Sequence, residues 1–262
     1  MKPSAQPLGH AEARAIVALL GEVCSHSGGH AQKKRHLLDG LCRLVDAQAW
    51  VWGLFVQLEP GTFPSYTLHL HGGFDDAGVA GFLRAQEHPE TARFTEPFAR
   101  ALQEKRTHIT RMRQQLAPEE AYLGSENRKA WQAAGIDPGI LSCRPIDPFT
   151  FSTVGIYRRA NAPLFSERDL RLAHIILSEV PWLHELGWPD DRAASIPELS
   201  PRLCTVLNFL IHGRNRDEIA ENLSLSRHTV DTYSKEIYRH FGAHSQAELM
   251  ARFQNGNGGD VA

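Results

Sequence analysis

The sequence has no excess of positive charge. Its 28 Lys and Arg face 30 Asp and Glu, giving a formal net charge of -2 with histidine neutral and a pI near 6.7. Any contact with nucleic acid must therefore come from a local patch rather than the whole surface. The 14 histidines add positive charge only below neutral pH. Cysteine is scarce too: Cys24, Cys42, Cys143 and Cys204 are scattered, with no CxxC pair and no histidine at matching spacing. That excludes a disulfide framework and a zinc site of the usual kind, and reduced thiols in a cytoplasm are the simplest reading. Long apolar runs are missing as well. The stretch from Met1 to Gly29 has only about ten apolar residues in a row, broken by Glu and with no basic leader, so neither a signal peptide nor a membrane span is expected. No internal repeat and no Ser/His/Asp or paired-carboxylate constellation is legible, so the chain is not expected to be an enzyme, and no cofactor is assigned.

What is present is enough apolar content, 42% of 262 residues, for two modest domains. Residues 10–24 and 33–46 carry apolar positions at helical spacing, Leu37, Leu38, Leu41, Leu44 and Val45 forming one stripe. Ala49 to Leu58 is aromatic and β-branched and stops at Pro60-Gly61, and Ser65 to Phe74 alternates; the two predict an antiparallel hairpin. Asp76 to about Gln103 reads as helix. Between 105 and 140 one helix, Pro118 to Ala134, is expected. Strands at Gly139 to Ile146 and Phe151 to Arg158 flank a turn at Asp147-Pro148. Ser166 with Asp169 makes an approximate capping box for a helix bearing Leu170, Leu172, Ala173, Ile176 and Leu177. Residues 186–198, with proline, paired acids and no apolar period, predict a linker between a domain at 1–185 and one at 199–254, and the Gly/Asn-rich residues 255–262 predict a disordered tail.

The second domain is the more informative. Ser200 caps and Pro201 starts a helix that buries Leu203, Val206, Leu207 and Leu210 before Gly213. A short helix follows with Ile219, Ala220 and Leu223 inward, then Ser226 caps a third. In that third helix Val230, Ile237 and Phe241 share one face with Tyr233 or Ser234, leaving Arg227, His228, Asp231, Thr232, Lys235 and Arg239 on the other. A last helix starts near Ser245. The segments "LSPR", "EIAENLSLSRHTV" and "IYRHFGAHSQAE", in register over Leu199 to Phe253, resemble the LuxR-type helix-turn-helix of bacterial transcription regulators. The resemblance implies an all-α four-helix domain whose third helix enters the major groove of double-stranded DNA while the second crosses the backbone. It implies base contacts at Asp231, Thr232 and Lys235, and phosphate contacts at Ser226, Arg227, Thr229, Tyr233 and Arg239. Seven Lys/Arg stand against six Asp/Glu in residues 199–254, so a homodimer is expected to supply affinity that charge does not. The sequence departs from the family at Asp231, where a basic residue is common. An acid there either accepts from cytosine N4 or pairs with Lys235 one turn on.

The upstream region lacks the paired acids and alternating strand-helix order of a phosphoacceptor receiver. An acyl-homoserine-lactone receptor would suit the architecture, but only Trp50, Trp52 and Tyr66 hint at its aromatic signature. The hairpin, the helical middle and the closing "PLFSERDLRLAHIILSEVPWLHE" resemble a GAF-like sensor domain, which implies an α+β fold with an antiparallel sheet flanked by helices and a small-molecule pocket. Candidate lining residues are Trp52, Tyr66, His69, Trp131, Cys143 and Tyr157. His69 and His71 share one strand face, as metal ligands can, without an identifiable third ligand. The combined reading is a cytoplasmic transcription regulator with a small-molecule effector and RNA polymerase as a further partner. The rival is an interaction adaptor with little DNA affinity.

Overall fold

A computed structural model describes residues 8–56, 65–146, 150–185 and 201–255. The expected linker at 186–198, the cap at Ser200, the turns at 60–61 and 147–148 and all of the tail but Asn255 lie outside the described residues.

The first two helices, α1 (His10–Ser25) and α2 (His30–Leu44), are amphipathic, and α1 buries Ile16, Leu19 and Val23. They meet closely because residue 40 is glycine: a Cβ there would overlap the Leu19 side chain. Next come β1 (Ala49–Val56) and β2 (Ser65–Gly72), antiparallel partners as the hairpin pattern predicts. The single helix expected from Asp76 is two, α3 (Asp76–Gln86) and α4 (Pro89–Lys105), since His88 caps the second and Pro89 starts it. The stretch expected to hold one helix at 118–134 holds more. It contains β3 (Ile109–Met112), a 3-10 turn, α5 (Glu119–Leu123) and α6 (Glu126–Ala133), the helices parted where Ser125 caps α6. β4 (Ile136–Pro145) and β5 (Thr150–Arg159) complete a five-stranded antiparallel sheet of order β2-β1-β5-β4-β3.

The two faces of the sheet are covered by different helices. Even-numbered residues of β1 and β5, among them Trp50, Trp52, Val154 and Ile156, join a core with α1, α2, α7 (Glu167–Ser178) and α8 (Trp182–Glu185). Odd-numbered ones, among them Val51, Phe55, Phe151 and Tyr157, face α3 to α6. The "PLFSERD" segment earns its place through Arg158. Its guanidinium donates to the carbonyls of Val45 and Asp46, pairs with Asp169 at 3.2 Å and lies 4.2 Å from the centre of the Phe165 ring. Asp169 closes the capping box with Ser166, so one buried ion pair fixes the start of α7 to the end of β5.

The C-terminal helices are α9 (Pro201–Ile211), α10 (Arg216–Leu223), α11 (Arg227–Phe241) and α12 (Gln246–Asn255). Their core joins Leu203, Val206, Leu207 and Leu210 to Ile219, Ala220, Leu223, Val230, Ile237 and Leu249. The same cluster takes in Leu54 of β1, with Ile146 packed against it. Thr205 and Phe209, one turn apart on α9, are both fully buried, and the Thr205 hydroxyl lies 2.6 Å from that of Thr150.

Candidate functional site

Each helix of the C-terminal turn starts from a side-chain cap. Asn215 accepts from the backbone amides of Asp217 and Glu218, and Ser226 accepts from the Thr229 amide at 3.0 Å. Gly242 closes α11 in the left-handed conformation that glycine adopts freely. On α11 the inward face is Val230, Ser234 and Ile237; of the two residues left open between them, Ser234 is the fully buried one, bonding the Val230 carbonyl, and Tyr233 is half-buried. Outward, His228, Thr232, Lys235 and Arg239 are all exposed and recur four, three and four residues apart, which makes one continuous stripe along the helix.

Asp231 lies beside that stripe, not in it. Its Oδ1 is 3.2 Å from Nε of Arg216, the first residue of α10, and 3.5 Å from Nε of Arg227, the first residue of α11. The pairing expected with Lys235 is not the one made: the α10 side of the seam supplies a closer cation, and Arg227 one turn back supplies another. Arg216 also faces the Tyr238 ring at 5.9 Å, and Tyr238 sits two turns beyond Asp231. Arg227 is engaged a second time by Asp217, whose bond is the main reason its guanidinium is held above its ordinary range, Asp231 adding to it. The Ser226 and Thr229 hydroxyls bond each other at 2.8 Å, and the Thr232 hydroxyl donates to the His228 carbonyl. Arg216 was not identified from the sequence; the signal available was its place at the first position of α10, seven residues before that helix ends at Leu223.

The N-terminal domain holds a cavity of about 130 Å³ between the odd face of the sheet and α4 to α6. Trp131, Cys143 and Tyr157 of the expected lining residues border it, together with Phe55, Phe94, Phe98, Leu102 and Phe151. Trp52 does not. It points to the opposite face, where its indole donates to Ser152 at 3.0 Å and Lys34 Nζ lies 3.4 Å from its ring centre. Tyr66 lies outside the lining as well, packed in an aromatic layer with Phe55 and Phe82; the side chain of His69 lies outside the described residues.

One end of the cavity is polar. A bulge between Ile136 and Gly139 shifts the register of β4 against β5 by one residue, and Asp137 in that bulge accepts from the Tyr122 hydroxyl at 3.0 Å and pairs with Arg128 at 3.4 Å. Burial, and then the Asp137 carboxylate, push the Tyr122 phenol up, so it stays a donor. Arg113 lies 4.4 Å from the Tyr122 ring centre and pairs with Glu119 at 2.8 Å, which holds the Glu119 carboxyl below its usual range. Trp131 stacks on Tyr157 with ring centres 5.8 Å apart and donates to Asn127. Gly155 makes room for the Tyr157 ring, since a Cβ there would lie 2.5 Å from its hydroxyl. Burial pushes the Cys143 thiol up to about 12, which disfavours the thiolate a redox sensor needs.

Behind the sheet, three histidines pack together where β3 and β4 meet α7 and α8. His108 contacts His174 and His184 with ring centres 5.7 and 5.2 Å apart. Serine and threonine hydroxyls bond them: Ser142 to His108 at 2.7 Å, Thr110 to His174 at 3.0 Å and Ser152 to His184 at 2.8 Å. Burial lowers all three from their ordinary range, His108 to about 3 and His184 to about 4. Among the described residues no group of three or more His, Cys, Asp or Glu side chains is arranged to hold a metal. Nor is any helix among them long and apolar enough to cross a membrane.

Residues 197–253 match the family described as bacterial regulatory proteins, luxR family. A protein of Pseudomonas aeruginosa named as a transcriptional regulator is 41% identical over 61 residues, which is 23% of this chain and 30% of that protein. The Fimbriae Z protein of Escherichia coli strain K12 is 38% identical over 58 residues, 22% of this chain and 28% of its own. The chain thus spans less than a third of either relative. A solved structure of SdiA, an Escherichia coli protein, in complex with octanoyl-rac-glycerol is similar at 16% identity and a TM-score of 0.45, covering 94% of this chain and 95% of that one. The capped α10, the Ser226-started α11 and the matched span agree in place. The domain formed by α9 to α12 is a luxR-family helix-turn-helix domain.

Proposed function

We propose that the whole chain is a transcription regulator that binds double-stranded DNA as a homodimer and carries its effector site in the N-terminal domain. The observation that carries the reading is the exposed stripe of His228, Thr232, Lys235 and Arg239 on a capped helix of a luxR-family domain. In the major groove, Thr232 and Lys235 face base edges and Arg239 meets phosphate. Ser226, Thr229 and Tyr233 lie near enough to the helix start and flank to serve phosphates, while Asp231 is paired with the two arginines beside them. A module with this little net charge gains affinity by doubling, which implies an inverted-repeat site with half-sites about one helical turn apart.

For the N-terminal domain, a cavity lined by phenylalanines and leucine with Asp137, Tyr122 and Arg113 at one end suits a small, mainly apolar molecule carrying one polar end. We also assign the domains as 1–185 and 199–254, with RNA polymerase as a further partner on the promoter. A gel-shift titration of the full chain on genomic fragments over a salt series tests the reading. Retarded fragments sharing an inverted repeat support it; a chain that shifts no fragment at low salt is instead an interaction adaptor.

A further inference from the structure

Arg216, Asp231, Arg227 and Asp217 form one chain of alternating charge across the start of α10 and α11. Asp231 is the middle of it. Its side chain is 37% exposed and that of Arg216 36%, so both remain within reach of a DNA backbone laid against the turn. Each arginine stands at the first position of its helix, where backbone amides already favour an approaching anion. Without the carboxylate Arg216 would lose its partner and Arg227 would keep Asp217 alone, so the seam would carry one uncompensated positive charge beside two helix starts, a surface that attracts any phosphate. With it, the seam is neutral until both guanidiniums are offered partners that replace the acid.

We propose that Asp231 is a specificity-determining residue that acts through Arg216 and Arg227: it holds both guanidiniums in the α10–α11 seam and keeps loosely placed phosphates out of it. The proposal rests on the DNA-binding reading above and adds Arg216 to the interface. On a matched site the base contacts of α11 fix the backbone, and the phosphates arrive where the arginines can turn to them; the carboxylate then costs little beyond its own charge. On unmatched DNA no such placement exists, and the acid repels the nearest phosphate. Asp231 thus lowers non-specific affinity more than specific affinity, which is how an acid serves a protein that must choose among many sites.

The test uses the full chain, a duplex recovered by in vitro selection from a random pool, and a scrambled duplex of the same composition. Asp231→Asn is expected to bind the scrambled duplex roughly three- to tenfold more tightly, with a salt dependence steeper by about one phosphate contact, and the selected duplex within about twofold of wild type. Asp231→Glu is expected to restore the wild-type ratio. Equal changes on both duplexes, or none, overturn the proposal. Should Asp231→Asn fail to fold by circular dichroism, Arg216→Gln decides: it is expected to weaken the selected duplex several-fold more than the scrambled one, and a parallel loss or no loss overturns the role of the seam. A wild-type chain that binds neither duplex removes the DNA-binding reading and this proposal with it.

Discussion

The hydroxyls of Thr150, at the start of β5, and Thr205, in the middle of α9, lie 2.6 Å apart with both residues fully buried. The contact joins the sheet of the N-terminal domain to the first helix of the luxR-family domain. Thr150→Val and Thr205→Val are each expected to cost about 1 kcal/mol of stability. Combined, they should cost less than the sum by about 0.5–1 kcal/mol, because the residues share one bond. Denaturant unfolding of the four chains measures the coupling; strict additivity would show that the two hydroxyls stabilise the protein independently.

Acid should loosen the N-terminal domain through its buried histidines. His108 and His184 titrate near 3 and 4 in the folded chain against 6.5 when free, so the unfolded state takes up protons first as pH falls. Their contribution is complete above about pH 6.5 and is lost progressively down to about pH 4 for His184 and about pH 3 for His108, at up to about 1.4 kcal/mol per pH unit for each histidine. Thermal melts between pH 8 and 5 should show the midpoint falling below pH 6.5, with a shallower fall in His184→Gln. An acid-insensitive melt over that range counts against the buried neutral cluster.

Lys235→Ala and Arg239→Ala should differ in kind. The first is expected to cost about 1–3 kcal/mol on the matched site and little on random DNA, and the second to weaken both while lowering the salt slope by about one. Binding isotherms on selected and scrambled duplexes separate them; an equal loss on the two duplexes for Lys235→Ala would remove it from the base edges.

Gly155→Ala should shrink the cavity without unfolding the sheet. The added Cβ meets the Tyr157 hydroxyl, and the ring's way out is toward the cavity it borders. Uptake of the dye 1-anilinonaphthalene-8-sulfonate is expected to fall about tenfold, an estimate for losing a good fit in a small apolar site. Unchanged uptake with an unchanged melt would place the dye elsewhere.

The C-terminal domain was legible because its signals are local. Caps, a closing glycine and an apolar period settle within a few residues, so α10 and α11 fall where the pattern puts them. The partner of Asp231 was not legible, because Arg216 reaches it from another helix while Lys235 is nearer in sequence. In the N-terminal domain the hairpin and the Ser166 box were readable. β3 was not: four residues carrying Thr110 and Arg111 offer no apolar alternation, and pairing with β4 makes the strand. Trp52 and Tyr157 look alike as aromatic strand residues, and only parity along β1 and β5 sends one to α2 and the other to the cavity.

That parity has a last consequence. Phe55 and Phe151 are cross-strand partners bordering the cavity, and their immediate neighbours Leu54 and Thr150 meet the helix-turn-helix on the reverse side. The wall of the chamber and the floor on which α9 stands are the same two peptide segments, seen from opposite sides. Evolution cannot remodel one as a private matter: reshaping the chamber at Phe55 or Phe151 also re-lays the floor under α9 and the helices packed on it.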